Sequence, residues 1–429
     1  MPSRATLYAA LVLLTLAIRV AYIADRQPFR EPQGDEMERA ARSVATYGVI
    51  GHVFDPDWST PAQPSAHVAP LYPMLIGSVF YLFGWDTLAG RAAQEGLSLL
   101  ATVVMLVLLP RIAERLHLHV AAGWIAAFTL ALLPVNIWLE ATGAWEQPYA
   151  ALALLAVLLL FCRASDEAWE SRQTGVFLGL AVGITALLSP QIVPAAMLMF
   201  AAEFLVRRGL RRRIATAGII LALVAGAVIT PWVIRNWIEL GGFVPVRSNF
   251  GLELRMGNNP YATGITFGTT LSDVHNMYHR YHPYTNAQER DRLLQIGELA
   301  YMHEKQQQAW QWIGEHPVRT LALTTRRFLL YWFPPPVLWD PDSPVAVLKS
   351  LAVCGSLVAT IACLGWLWST GHDRAYLIAA SLIGPSLPYM ITHVDIRYRY
   401  PITAVSAILA AHLCVVMWRA RYHVLARPT

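Results

Sequence analysis

Charge is scarce in this chain of 429 residues: 14% are charged, against 55% hydrophobic. That balance, with a mean hydropathy of +0.41, excludes an ordinary soluble globular protein. Lysine is nearly absent, with Lys305 and Lys349 alone, so the net charge of +5 rests almost wholly on arginine. The four cysteines, Cys162, Cys354, Cys363 and Cys414, all fall in hydrophobic segments. They offer neither a disulfide framework nor metal-ligand spacing, which leaves them as packing residues. No internal repeat or low-complexity tract is present, which weighs against inverted-repeat transporters.

What the chain has in abundance is hydrophobic sequence in long runs, such as 214–232, 345–368 and 401–418. Runs of this length cross the hydrocarbon core of a bilayer as helices, because unpaired backbone groups are too costly in lipid. The first segment, 5–24, has the basic flank Arg4, but Tyr22-Ile23-Ala24-Asp25 is a poor cleavage site, so it reads as a retained helix. Arg207, Arg208, Arg211, Arg212 and Arg213 form the densest basic run and mark a cytoplasmic loop. Without aromatic interleaving, and already explained by its place between spans, this run gives no reason to expect nucleic acid.

Fixing that loop inside gives spans at 5–24, 92–110, 120–139, 148–163, 174–189, 191–206, 214–232, 345–368, 375–391 and 400–418. The fold class expected is therefore an all-α polytopic membrane protein, one domain over 1–429 with about ten transmembrane helices and both termini cytoplasmic. Arg111, Arg115, Arg163, Arg172, Arg374, Arg419 and Arg421 then also lie inside. The count requires Leu71–Phe83 and 321–333 not to cross; both are short, and the second carries Arg326 and Arg327. Two extracytoplasmic regions follow, 25–91 and 233–344. The larger predicts one polar helix over 285–315, capped by Asn286 and ended by His316-Pro317.

On this map the polar residues near membrane ends gather on the outer side: Asp35, Glu36, His67, Glu146, Gln191, Arg235, Asn236, Asn258, Asn259, His393, Asp395, Arg397 and Arg399. Asp35 and Glu36 point in different directions on any regular backbone, so one can face a substrate while the other anchors. A carboxylate there suits a general base, and the competing role is a cap for the helix that follows. Arginines suit a phosphate through their planar fork, with interfacial snorkelling as the alternative. Glu146 stands at a helix start, where an acid also favours the local dipole. Asp55-Pro56-Asp57 and Asp340-Pro341-Asp342 have D-x-D spacing, but the central proline makes each a turn.

Laid out in this order, the chain resembles the C-type superfamily of membrane glycosyltransferases, and within it bacterial relatives of the protein O-mannosyltransferases and lipid A aminoarabinose transferases. The likeness covers nearly the whole chain. It rests on Asp35-Glu36, the Ala/Arg-rich stretch 38–47, His67-Val68-Ala69-Pro70-Leu71-Tyr72-Pro73, the Pro134 to Glu146 pattern, Pro231-Trp232-Val233-Ile234-Arg235-Asn236, the Trp310 to His316-Pro317 helix end and Arg397-Tyr398-Arg399-Tyr400-Pro401. Departures are Leu188-Ser189-Pro190-Gln191, where relatives often carry an arginine before the proline, and His67, where proline or lysine is common. No soluble domain is expected after the last span, unlike several relatives.

The resemblance implies inverting transfer of a sugar from a polyprenyl-phosphate carrier to a protein, glycan or lipid acceptor, at the extracytoplasmic face of the bacterial inner membrane. Asp35 would be the base, with Glu36 and Glu146 holding acceptor or sugar hydroxyls. Arg235, Arg397, Arg399 and His393 would bind the donor phosphate, and His67, Tyr72, Gln191, Asn236, Asn258 and Tyr398 would line the substrates. The leaving group is a phosphate monoester, so no metal or other cofactor is obligatory, and a divalent ion is not favoured. Two other classes compete. A flippase for lipid-linked substrates would need polar residues at mid-depth, where Gln191 is the main candidate, and a scaffold subunit would use 233–344 for partners.

Overall fold

The computed structural model describes residues 3–27, 36–55, 62–133, 137–266, 276–339 and 344–425. Asp35, Asp57, Pro134 and the Asp340-Pro341-Asp342 turn lie outside them. In chain order the helices are α1 (Arg4–Arg26), α2 (Glu36–Tyr47), α3 (Leu71–Phe83), α4 (Leu88–Arg115), α5 (Val120–Leu132), α6 (Ile137–Ala141), α7 (Gln147–Asp166), α8 (Arg172–Leu188), α9 (Val193–Val206) and α10 (Arg211–Leu240). They continue as α11 (Phe250–Gly257), α12 (Met277–Tyr281), α13 (Ala287–Ile296), α14 (Glu298–Glu315), α15 (Pro317–Trp332), α16 (Pro344–Ser369), α17 (Ala375–Ile383), α18 (Leu387–Ile391) and α19 (Thr403–Leu425).

Among the described residues, six helices are long and apolar enough to cross a membrane. Shorter apolar helices at Val120–Leu132, Arg172–Leu188, Pro190–Val206 and Ala375–Ile391 stand where the remaining spans are expected. The long apolar helices pack into a bundle with a continuous core, from Leu106 and Leu109 through Leu154, Leu158 and Phe161 to Ile408 and Leu409. A second core belongs to a cap of short helices. Met37, Tyr72, Ile76, Leu252, Met256, Tyr301 and Met302 close over the ends of α8 and α10 at Leu188 and Trp232. At the opposite face Asp166 pairs with Arg115 at 3.3 Å and with Arg374, while His117 meets Asp373 at 2.9 Å.

Two expectations need correction. The polar helix over 285–315 is broken at Gly297, whose φ of 83° is accessible to glycine without a Cβ penalty and divides it into α13 and α14. Its other features hold: the Asn286 side chain accepts from Glu289 N at 3.2 Å, and the helix stops before Pro317. The helix expected at 321–333 begins earlier, at Pro317, because proline fits the first helical turn where no N–H is needed.

One buried charge network fixes the cap end of the bundle. Arg19 on α1 pairs with Glu140 on α6 at 2.6 Å and donates to the Ala131 carbonyl at 2.6 Å, and Tyr400 Oη donates to Glu140 at 2.9 Å. The short 3-10 turn 396–402, which precedes α19, is thereby tied to α1, α5 and α6.

The α8–α10 contact rests on absent side chains. Gly175, Gly179 and Gly183 are spaced four apart, so they share one face of α8. A Cβ on them would lie 2.8 Å from Ala217 O, 2.7 Å from Val224 Cβ and 2.8 Å from Val228 Cβ. Small residues at this spacing let helix backbones approach closely. Gly179→Leu should therefore lower stability by about 1–3 kcal/mol through overpacking, read as a lower melting temperature in detergent. Gly226→Leu, whose added carbon meets nothing within 4 Å, should change little; equal melting temperatures for the two would contradict the packing.

Candidate active site

A cavity of about 400 Å³ opens where the cap meets the bundle. The start of α2 brings Glu36, the start of α7 brings Trp145 and Glu146, and the 396–402 turn brings Arg397 and Tyr398. Gln191, Arg247, Glu253, His282 and His393 are also in its polar lining. Asp395 sets the turn's direction by accepting from Arg397 N at 3.0 Å. The Arg397 guanidinium lies 3.4 Å over the Trp145 ring centroid, a cation–π contact, and its Nε stands 4.0 Å from Asp395 Oδ1. Tyr398 stacks on Tyr389 with centroids 4.2 Å apart, and His393 Nε2 lies 3.2 Å from Tyr398 Oη and 3.4 Å from Glu253. Burial lowers the His393 pKa, with Glu253 and Asp395 opposing.

Glu36 is held on both oxygens. His282 Nε2 is 2.8 Å from Oε1, Tyr278 Oη 3.4 Å from the same atom, and His67 Nε2 3.3 Å from Oε2. His282 Nδ1 accepts the Tyr284 backbone N–H at 3.2 Å, so the proton of the neutral ring sits on Nε2 and is donated to Glu36. Burial alone would raise the Glu36 carboxyl, but His67 and His282 more than offset it and hold it well below the ordinary carboxylate range. Burial likewise pushes His282 down, with Glu36 opposing. The result is a carboxylate whose charged form the two histidines favour, with hydrogen-bond contacts on Oε1 and the His67 ring beside Oε2.

Glu146 is different. Its Oε1 accepts from Gln191 Nε2 at 3.3 Å, while Oε2 is buried with no hydrogen-bond partner among the described residues. Such an oxygen is costly to leave unpaired and is ready for a ligand hydroxyl.

The structure gathers Glu36, Glu146, Gln191, His393, Arg397 and Tyr398 around this one cavity, with His67 directly behind Glu36. Five other expected residues stand elsewhere. Arg235 donates to the Ser65 carbonyl at 3.0 Å and the Ile50 carbonyl at 3.4 Å, clipping the loop before α3 to α10. Asn236 donates to Val244 O at 3.0 Å, Asn258 to Leu254 O at 2.9 Å and Ile391 O at 2.8 Å, and Tyr72 to Gly143 O. These three are buried and engaged by the backbone. Arg399 lines a separate groove on the bundle side of its turn, because residues two apart on this tight turn face different ways. A second cavity, about 440 Å³ and lined by His52, Glu239 and Glu298, holds none of the expected residues.

Solved structures with this architecture are oligosaccharyltransferases of Archaeoglobus fulgidus. A complex with zinc and sulfate matches at a TM-score of 0.57 and 13% identity over 97% of this chain and 50% of that one. A complex of the same enzyme, AglB, with an inhibitory peptide and a dolichol-phosphate gives 0.54 and 12%, over 99% and 52%. One tethered to an acceptor peptide gives 0.55 and 13%, over 97% and 49%. The chain has the C-type glycosyltransferase fold. It spans about half the length of the structures it matches. No family model matches the sequence, and no curated protein sequence does. The resemblance drawn from the sequence thus holds at the level of the superfamily's fold.

Arg247 and His282 escaped the sequence reading. Arg247 shares the cavity with Arg397 and is held by its Nε bond to the His67 carbonyl at 3.0 Å. Neither residue sits in a motif: Glu36 and His282 meet across 246 positions of chain, and no spacing announces that. Glu36, His67 and His282 also each offer a potential metal-ligand atom within 4.8 Å of the others. The fit to a metal is poor at His282. A ligating imidazole donates its other N–H, whereas here Nδ1 already accepts one, which leaves Nε2 protonated. At His67 both ring nitrogens are buried without a hydrogen-bond partner among the described residues, so the poor fit rests on His282 alone.

Proposed function

We propose that the protein is an inverting glycosyltransferase that moves a sugar from a polyprenyl-phosphate carrier to an acceptor hydroxyl at the extracytoplasmic face of the bacterial inner membrane. The observation that carries this reading is the cavity itself: two arginines, Arg247 and Arg397, face acids at the membrane end of a C-type glycosyltransferase fold. The neighbouring structures hold a dolichol-phosphate and an acceptor peptide, which are the partner classes this reading requires. The arginine-rich face opposite the cavity supports a cytoplasmic location for that end.

In the reaction the acceptor oxygen bonds to the anomeric carbon while the bond from that carbon to the carrier phosphate breaks. Attack from the face opposite the phosphate inverts the centre. The acceptor's proton passes to a carboxylate, and the electron pair leaves on the phosphate. Glu36 is a weak candidate for the base, since a carboxylate held well below its ordinary range by neighbouring histidines has little affinity for a proton. Asp35, its neighbour in sequence, is assigned that role, and Glu36 with its histidines fixes the start of α2. Arg397 and Arg247 bind the phosphate and stabilise the charge that develops on it, an electrostatic effect of the kind that dominates many enzymes. Glu146, with its unpaired Oε2, holds a sugar hydroxyl.

Asp35→Asn should lower turnover by roughly 100-fold or more while donor binding stays near wild type; retained turnover in the folded variant would move the base elsewhere. Arg397→Lys keeps a charge but loses the fork, so donor affinity should fall by roughly tenfold. Arg421→Lys, at the other end of α19, should leave it unchanged, and equal effects at both ends would remove the phosphate role.

No metal enters this mechanism. Exhaustive chelation followed by assay with a chelator present should leave transfer within about twofold of the untreated rate, a change well under the tenfold that 1.4 kcal/mol represents. Loss of activity restored by zinc or manganese would contradict the hydrogen-bonded anchor at Glu36.

A further inference from the structure

Arg399 is the most isolated charge in the bundle. It is 6% exposed, and its Nε and Nη2 are buried with no acceptor among the described residues. Nε and Nη2 share one edge of the guanidinium, the edge that binds two oxygens of a single phosphate or carboxylate. A buried cation without a partner is among the costliest arrangements in a protein, so the free edge calls for an acceptor that the described residues do not supply.

The route is a groove of about 290 Å³ between α5, α16 and α19, with Arg399 and Trp339 at the cap end. Below them its walls are apolar or small, with Ala352 and Ser356 on α16 and Ala407 and Ala411 on α19, and among the described residues no acidic one lines it. Along α19 the groove runs from Thr403 to Cys414, which at the helical rise is roughly 16 Å, about half of a bilayer's hydrocarbon core. Its depth is therefore one leaflet. A tryptophan beside the mouth fits the membrane interface, where this residue concentrates.

We propose that this groove binds an anionic glycerophospholipid of the leaflet on the cap side, with its phosphate on the free edge of Arg399 and one acyl chain along α19. Charge complementarity selects an anion, and a groove that closes after one leaflet matches an acyl chain rather than a long polyprenyl tail. The site is separate from the catalytic cavity, which lies across the 396–402 turn and uses Arg397. A bound lipid braces that turn from behind, so its occupancy supports the geometry of Arg397 without touching substrate.

The test is a thermal-shift titration of the delipidated full chain in detergent with dioleoyl phosphatidylglycerol, dioleoyl phosphatidylcholine or undecaprenyl phosphate. Phosphatidylglycerol should stabilise the wild type saturably, with at least tenfold tighter binding than phosphatidylcholine. Arg399→Gln should remove that preference while Arg397→Gln retains it. Ser356→Trp, which fills the groove without touching the arginine, should also remove it, so the inference does not depend on how well one variant folds. Equal responses to the two phospholipids, or an unchanged preference in both Arg399→Gln and Ser356→Trp, would overturn the site. Tighter binding of undecaprenyl phosphate than phosphatidylglycerol, lost in Arg399→Gln but kept in Arg397→Gln, would overturn the phospholipid assignment and give the groove to the carrier.

Discussion

The buried pair between Arg19 and Glu140, with Tyr400 as its third member, is the interaction on which the functional end of this molecule depends. A guanidinium and a carboxylate so deep in a bundle can persist only because each completes the other's bonding, and loss of one partner would leave a charge stranded at a cost of about 3–5 kcal/mol. The network joins the first helix to the α5–α6 junction and to the turn before the last helix. That turn carries Arg397 into the cavity on one side and Arg399 into the groove between α5, α16 and α19 on the other. Two charges of opposite assignment are thus aimed by a third that never meets a ligand.

The catalytic reading follows from how the remaining charges are satisfied or left free. Glu36 is met by His282 and Tyr278 at Oε1 and by His67 3.3 Å from Oε2, and these contacts make it an anchor. Glu146 keeps one oxygen open, and Arg397 rests on Trp145 with its Nε lacking a hydrogen-bond partner among the described residues. A cavity that offers an open carboxylate oxygen beside two arginines, Arg247 and Arg397, is suited to a substrate with both hydroxyls and a phosphate. A sugar joined to a phosphate has that pairing.

Much of the architecture was legible in the chain because the membrane imposes a single strong pattern. Hydrophobic run length located the bundle helices, and shortness separated Leu71–Phe83 from them. The arginine bias grouped Glu36, Glu146, Gln191, His393, Arg397 and Tyr398 at one end before their contacts were known. Long-range pairing was beyond that pattern. His282 meets Glu36, and Arg247 meets the His67 carbonyl, through the folding of the 241–338 cap, for which no periodicity gives a register. Arg235 and Arg399 stand away from the cavity, since depth along a helix is written in hydropathy while direction around a turn is not. The glycines of α8 carried a readable spacing, and only the 2.7–2.8 Å approaches to α10 give it meaning.

The central claim is that a lipid phosphate sits between Arg247 and Arg397 in the cavity beside Glu36. Cryo-electron microscopy of the wild-type protein in lipid nanodiscs with saturating undecaprenyl phosphate tests this directly. The expected result is phosphate density within hydrogen-bond distance of both guanidinium groups, with the polyprenyl chain leaving the cavity toward the bilayer. An ordered carrier phosphate bound away from Arg247 and Arg397, with the cavity between them filled by water, would contradict the assignment.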